Sequence, residues 1–482
     1  MIAELALYLG SAVGLTAAMT PLAAGLAKRV GAMAIPAGRH GHALATPRLG
    51  GLAIAVSFAI VVALAVANMP LSWLTDLHLS SGQVYLLLLG AGLILLGGGL
   101  DDILDFAPST KLTVQLAGAV LAYFGSASIG SVYIPGLGST PLGAADFPAS
   151  VIWMLAITNA INLLDGLDGL AAGVTAVIAT AMGAVAFGLG NPAFAVICFV
   201  LAGASCGFLV HNFHPARVFM GDSGSNFLGF CLGCLSLIGN RKNVAAVGLA
   251  ASFIILGLPM LDMLFSMLRR TMQGRSPFSA DRGHLHHMLV TLGLSQRRVA
   301  LILYVVSLAL GILGIVGALA GKPVVGYVLI TMLALAAITY RLFGFRMWND
   351  LLRQRSWHRA VKKTSAALVP GVNLNRSWKS LAAVLRLMGF GAAELHVYKE
   401  DGQPVELFSR SLEANPNGTT SMPPVCLDLR RNGRLRARLY LRDRKPRTVS
   451  MMYRVAILRP LLDSFEEYLH TSTATSTDLR AG

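Results

Sequence analysis

Charge is scarce in this chain. Only 13% of its 482 residues are charged, where soluble globular chains carry about a quarter. That excludes an ordinary water-solvated fold for the chain as a whole. Acids are the rarer sign, 23 against 39 basic residues, for a net charge of +16. Cysteine is also sparse. Cys198, Cys206, Cys231, Cys234 and Cys426 give no disulfide framework, and four of them lie in apolar stretches where thiols pack as small hydrophobes. Cys231 and Cys234 form a CxxC, but no second pair or histidine lies beside it, so a zinc ligand set is lacking. A basic n-region and a clear cleavage site are missing from the first segment, which argues against a cleavable signal peptide.

Apolar residues are abundant, at 55% with a mean hydropathy of +0.65. A membrane-crossing helix needs about 20 predominantly apolar residues. Eleven runs qualify, near 2–26, 49–67, 84–100, 112–128, 149–164, 169–189, 193–212, 224–239, 244–268, 299–320 and 323–343. The expected fold is an all-α polytopic membrane protein of about 11 transmembrane helices over residues 1–343. Of 16 basic residues before 344, an outside N-terminus puts 13 on the inner side and leaves Arg241, Lys242 and Lys322 outside. Eleven spans then leave the C-terminus in the cytosol.

The region before 344 holds only eleven acids. Glu4, Asp76 and Asp146 fall outside, and Asp262 lies a turn or two above an inner end. Asp101, Asp102, Asp105, Asp165, Asp168, Asp222 and Asp281 all fall at or near inner ends of different spans. A carboxylate in a span costs about 2.5–3.5 kcal/mol on insertion scales, so such residues face a partner or a wet cavity. Convergence at one depth points to a shared site, although Asp105 and Asp281 also suit solvated loops.

Four stretches carry the chemistry. In TNAINLLDGLDGLAAG (158–173), Asn162, Asp165 and Asp168 recur every third residue and would form a ridge on one helix face. Asn159 taken alone reads as a bond between neighbouring helices. In GGGLDDILDF (97–106), the adjacent Asp101 and Asp102 face different ways on a helix, and Lys111 and Gln115 follow at i, i+4 spacing. In RVFMGDSGSNFLG (217–229), Asp222 opens an apolar span. Free backbone N–H groups there suit a phosphate, and Ser223 suits an N-cap. In DRGHLHHML (281–289), His284, His286 and His287 sit in an arginine-rich loop. The carboxylates suit a hard ion such as Mg²⁺ or Mn²⁺, and the basic loop suits phosphate.

These motifs resemble the polyprenyl-phosphate N-acetylhexosamine-1-phosphate transferase superfamily. The likeness covers residues 1–343 and rests on TPRLGG (46–51), LDDILDF (100–106), KLTVQ (111–115), NAINLLDGLDGLAAG (159–173), RVFMGDSGSNFLG (217–229), PMLD (259–262) and RGHLHH (282–287), in family order. It implies transfer of a sugar 1-phosphate from a UDP-sugar to undecaprenyl phosphate, with release of UMP, starting a bacterial cell-envelope glycan at the inner membrane. It implies Mg²⁺, or Mn²⁺ in its place. The spaced HLHH resembles the branch that uses UDP-N-acetylglucosamine, whereas the muramoyl-pentapeptide branch has three adjacent histidines. By motif, Asp222 and Asp165 would hold the metal, and Asp101, Asp102, Asp165 and Asp168 would form the catalytic group. Asn159, Asn162 and Asp165 would line the nucleotide and sugar, with Lys111, Arg282, His284, His286 and His287 on phosphate or sugar. Expected partners are the UDP-N-acetylhexosamine, undecaprenyl phosphate and membrane lipids, with no nucleic acid and a homodimer left open. The rival from another class is an ion-coupled transporter, whose acids would lie at mid-bilayer; no internal repeat supports it.

Residues 344–482 change character, with 23 basic and 12 acidic residues. A basic amphipathic linker is expected over 344–375, a small cytosolic α+β domain comparable to GAF-type modules over 376–470, and a disordered end over 471–482. The hairpins 393–410 and 426–443 would turn at Asp401-Gly402 and Asn432-Gly433.

Overall fold

The computed structural model describes residues 2–34, 45–70, 77, 79–134, 138–239, 251–272, 284–291, 293–320, 356–366, 374–398, 404–411, 425–431, 434–443 and 457–465. The chain divides into two compact units, Met1–Ala336 and Ala337–Gly482.

The first unit is a helical bundle, as apolar segments that must satisfy their own backbone polar groups require. Its helices are α1 (Ile2–Val30), α2 (Gly50–Asn68), α3 (Ser81–Leu104), α4 (Pro108–Phe124), α5 (Asp146–Leu164), α6 (Leu170–Gly188), α7 (Pro192–Asn212), α8 (Gly221–Ile238), α9 (Gly257–Met272), α10 (Leu285–Thr291) and α11 (Gln296–Ala320). Among the described residues seven helices are long and apolar enough to cross a membrane: α1, α2, α3, α5, α6, α7 and α11. The runs expected at 112–128 and 224–239 form the shorter α4 and α8, of 17 and 18 residues. The run at 244–268 is helical over 251–255, turns at Leu256 and continues as α9. The run at 323–343 lies outside the described residues.

Helix α8 is the centre of the bundle and is buried along nearly its whole length. It packs against α2, α3, α5 and α6. Glycine permits this closeness. A side chain on Gly51 would run into the backbone of Gly224, and one on Gly98 would meet the Asp222 carbonyl oxygen at 2.5 Å. Small residues let helices approach where lipid offers no hydrophobic drive to associate. Gly51→Ala is therefore expected to push α2 off α8 and lower stability by about 1–3 kcal/mol, read as a lower melting temperature in detergent.

Local signals set the helix ends. Ser80 and Gln83 form a reciprocal capping box that starts α3, and Asp105 ends it in the left-handed conformation at φ 49°. Pro108 then begins α4 in its first turn. Helix α5 stops at Leu164, with Asp165 as its C-cap. Residues 46–51 run beside the approach to α8: Phe219 N donates to Pro47 O, Gly50 N to Phe219 O and Gly51 N to Met220 O. Consequently the ends of α3 and α5 and the starts of α2, α4 and α8 meet at one end of the bundle. Asp146 opens α5 at the opposite end, where it accepts from Gly130 N at 2.8 Å and from Ser150 Oγ at 3.0 Å. A short hairpin, Ser131–Ile134 with Gly138–Pro141, lies beside it.

The second unit is α+β. Helix Leu374–Leu387 precedes four antiparallel strands: β1 (Phe390–Tyr398), β2 (Pro404–Ser411), β3 (Val425–Arg431) and β4 (Arg434–Asp443). Their order is β2-β1-β4-β3, so the two hairpins join through β1 and β4. One sheet face buries Ala393, Leu395, Val397, Leu429, Ala437, Leu439 and Leu441 with Leu381 and Leu385, Trp357, and Leu458, Leu461 and Phe465 of a helix over 457–465. Residues 356–366 are also helical. The turns at Asp401-Gly402 and Asn432-Gly433, and residues 471–482, lie outside the described residues.

Candidate active site

The cluster where the helix ends meet is built on Asp222, the second residue of α8. Its Oδ1 accepts from Asn162 Nδ2 at 2.8 Å, and its Oδ2 from Lys111 Nζ at 2.7 Å. Lys111 lies in the first turn of α4 and also reaches Asp101 Oδ2 at 2.5 Å. One ammonium thus joins carboxylates from α3 and α8. Asp101 Oδ1 accepts from Phe106 N at 2.7 Å, which fixes the carboxylate across the turn leaving α3. Asn162 is held in turn by Ser225 Oγ at 2.8 Å.

Asp102 faces elsewhere. Its two oxygens accept from Asp222 N at 2.8 Å and Ser223 N at 3.0 Å, and Arg48 Nε lies 4.0 Å away. A carboxylate here satisfies donors that a helix start leaves unpaired and complements the helix dipole. This corrects two expectations. The N–H groups of Asp222 and Ser223 are not free for phosphate, because Asp102 occupies them. Ser223 is not the N-cap, since it lies within the first turn with its Oγ on Met220 O at 3.4 Å. Gly221 must be glycine at this start: its φ is +73°, and an added Cβ would collide with Arg48 O and approach Asp102 Oδ1 at 2.7 Å.

Asp165 projects from the loop after α5 and keeps partial exposure. Burial holds its carboxyl well above the usual carboxylate range; the Asp222 and Asp102 charges push the same way, and Arg48 opposes them. The expected ridge of Asn162, Asp165 and Asp168 does not form, because the helix ends before Asp165. Asp168 is buried, and its Oδ2 takes His214 Nδ1 at 2.8 Å and Ala216 N at 3.1 Å, so it ties the loop to the segment after α7. Asn159 makes the bond between helices that its place in an apolar span suggests. Its amide donates to Gln115 Oε1 and Leu155 O, both at 2.8 Å. Gln115 donates onward to Asn226 Oδ1 at 3.1 Å, completing a ladder across α5, α4 and α8.

The histidine segment reaches the same loop. His284 Nδ1 lies 3.3 Å from Asp262 Oδ2, and Leu285 N donates to Asp262 Oδ1 at 2.7 Å, so Asp262 of α9 caps α10. Arg270 Nη2 stands 3.5 Å from His284 Nε2. His286 is 1% exposed, and its Nε2 would meet a Cβ on Gly166 at 2.6 Å. His287 stacks obliquely on it with ring centroids 4.2 Å apart. Arg282 lies outside the described residues. Burial, then the His287 charge, brings the His286 imidazole down from 6.5 to about 4. Between those values the unfolded chain takes up a proton that the folded chain refuses, so stability falls as pH falls through this window. Melting curves from pH 7.5 to 5 are expected to show that decline in the wild type and a shallower one in His286→Phe.

Among the described residues no three histidine, cysteine, aspartate or glutamate side chains stand together as a ready metal cage. Mg²⁺ is held by one or two carboxylates with water and substrate phosphate oxygens. Asp222 and Asp165, hard oxygen donors whose mutual repulsion raises the Asp165 carboxyl, fit that mode.

Glycosyl transferase family 4 matches residues 84–240, a range that runs from α3 through α8. The "Probable undecaprenyl-phosphate N-acetylglucosaminyl 1-phosphate transferase" of Bacillus subtilis is 36% identical over 300 residues, covering 62% of this chain and 80% of that protein. The chain belongs to this family. The decaprenyl-phosphate N-acetylglucosaminephosphotransferase of Mycolicibacterium smegmatis is 39% identical over 320 residues, 61% of this chain and 78% of the relative. The Escherichia coli K12 undecaprenyl-phosphate alpha-N-acetylglucosaminyl 1-phosphate transferase is 28% identical over 332 residues, 67% and 86% of the two chains. The matched range includes Asp101, Asp102, Lys111, Asn162, Asp165 and Asp222. Arg48 and Asn226 also belong to the cluster's frame and carried no chemical reading in the sequence. Arg48 stood in TPRLGG and could have been found there, whereas Asn226 is one amide in an apolar run.

Proposed function

We propose that the chain transfers N-acetylglucosamine 1-phosphate from UDP-N-acetylglucosamine to a polyprenyl phosphate, undecaprenyl phosphate in the first instance. A lipid phosphate oxygen attacks the β-phosphorus, the bond from that phosphorus to the α–β bridging oxygen breaks, and UMP leaves. The observation that carries this is the joining of Asp101 and Asp222 through Lys111 in a member of this family. Phosphoryl transfer is mostly positioning and neutralisation of charge, and this cluster supplies both signs at fixed places.

Asp222 and Asp165 would hold Mg²⁺, which when bound neutralises the donor diphosphate. Asn162 keeps Asp222 oriented. A phosphate monoester has a second pKa of about 6, so the acceptor is mostly dianionic at neutral pH and needs little help from a base. Asp101 then orients the acceptor or removes its last proton. Lys111 reaches a substrate phosphate only by loosening one of its two carboxylate pairs. His286 and His287 border the Asp165 loop and would contact the sugar or a phosphate. The positive-inside bias supports a bacterial inner-membrane protein with this end of the bundle in the cytosol.

Membranes containing the chain should release UMP from UDP-N-acetylglucosamine only when polyprenyl phosphate and Mg²⁺ are both supplied, and a panel of UDP-sugars should rank this donor first. No release under those conditions would overturn the reading. Exchange of labelled UMP into UDP-N-acetylglucosamine without lipid acceptor would instead favour an aspartyl-phosphate intermediate.

A further inference from the structure

The loop that presents Asp165 ends at Gly169, whose φ of 74° places it in the left-handed region. Both polar groups of this residue are bonded by side chains from other helices, and its carbonyl also takes the first helical bond of α6, from Gly173 N at 2.9 Å. Its N–H donates to Asn212 Oδ1 at 3.0 Å, and its carbonyl accepts from Tyr304 Oη at 2.6 Å. Asn212, the last residue of α7, donates onward to Val218 O at 2.8 Å, in the segment that leads into Asp222. Tyr304 comes from α11 and belongs to none of the motifs that carry the chemistry. Its ring lies so close to Gly173 that no side chain fits there, so it packs directly on α6. A tyrosine that only filled space would need no hydroxyl, and phenylalanine would serve as well.

We infer that Tyr304 is a positioning residue for the proposed transferase reaction. By fixing the Gly169 carbonyl it holds the backbone from which Asp165 projects, and through Asn212 that backbone is tied to the approach to Asp222. The clamp sets the separation of the two carboxylates, and with it the affinity for a divalent cation. Fixing ligands through groups that do not touch the metal is how outer contacts tune such sites. The inference rests on the functional reading above.

The test uses the full purified chain with Mn²⁺ as probe, free Mn²⁺ being read by electron paramagnetic resonance. Tyr304→Phe removes one hydroxyl and keeps the ring. It is expected to raise the Mn²⁺ dissociation constant and the half-activating Mg²⁺ concentration together, by roughly three- to tenfold, the range of one neutral hydrogen bond. The melting temperature and kcat at saturating Mg²⁺ should stay near wild type. Tyr85→Phe, at a tyrosine 71% exposed on α3, is the control and should change neither. Unaltered Mn²⁺ affinity in folded Y304F overturns the inference, as does an apparent loss that only tracks loss of folded protein. If Y304F does not fold, the same titration of Asn212→Asp decides, because that change keeps the acceptor for Gly169 and loses the donor to Val218. Unaltered affinity there also overturns the clamp. Wild-type protein that neither binds Mn²⁺ nor releases UMP removes the transferase reading itself, and the clamp with it.

Discussion

Lys111→Met is expected to cut UMP release by about 10²–10³-fold, the usual effect of removing one placed electrostatic group from an active site, while leaving the bundle folded. Its ammonium is the joint between Asp101 and Asp222, at 2.5 and 2.7 Å. Without it, two carboxylates face one another beside the partly exposed Asp165. Like charges so close cannot all stay ionised, so a proton would enter where the reaction needs fixed negative oxygens. Methionine preserves the length and apolar stem of the side chain. Melting in detergent should therefore follow wild type while kcat falls. Activity within a factor of three of wild type would show that the lysine is only an anchor at the membrane surface.

Asp102→Ala is expected to act differently, through the fold. This carboxylate accepts from the N–H groups of Asp222 and Ser223 and stands beside Arg48. Removing it leaves two donors at the start of α8 without a partner, each worth about 1–3 kcal/mol when stranded away from water. The start of α8 should fray and Asp222 should lose its place, so melting temperature and activity fall together. Asp102→Asn keeps an acceptor oxygen and loses the charge. The expected order of melting temperature is wild type, D102N, D102A. If D102A melts with wild type, the capping role is wrong and Asp102 must act on substrate.

The two neighbouring aspartates show what the sequence discloses and where it stops. Adjacent positions on a helix must point apart, so separate duties for Asp101 and Asp102 were readable from LDDILDF. Which duty fell to which residue was not, because that depends on α8 arriving alongside more than a hundred residues later. Asp165 and Asp168 show the opposite failure. Three-residue spacing suggests one face only while the helix continues, and the glycines of DGLDG end it. Asp168 thus turns to His214 and Ala216, ligands that no local pattern announces. Most long apolar helices were legible because their composition leaves no other way to satisfy the backbone. The clamp on Gly169 was illegible for the reverse reason: a tyrosine in the apolar run of α11 reads as filler until its hydroxyl has a partner.

The brevity of the two helices that carry Lys111 and Asp222 has a further consequence. At 17 and 18 residues they measure about 26 and 27 Å at 1.5 Å per residue, less than the hydrocarbon thickness of about 30 Å. Because α8 is enclosed by its neighbours, no lipid has to thin to meet it. A helix this short would set its charged start below the headgroup plane, where water could follow the carboxylates down and a lipid-borne phosphate would not have to climb out to meet a soluble nucleotide. Turnover is therefore expected to vary with the acyl-chain length of the host bilayer.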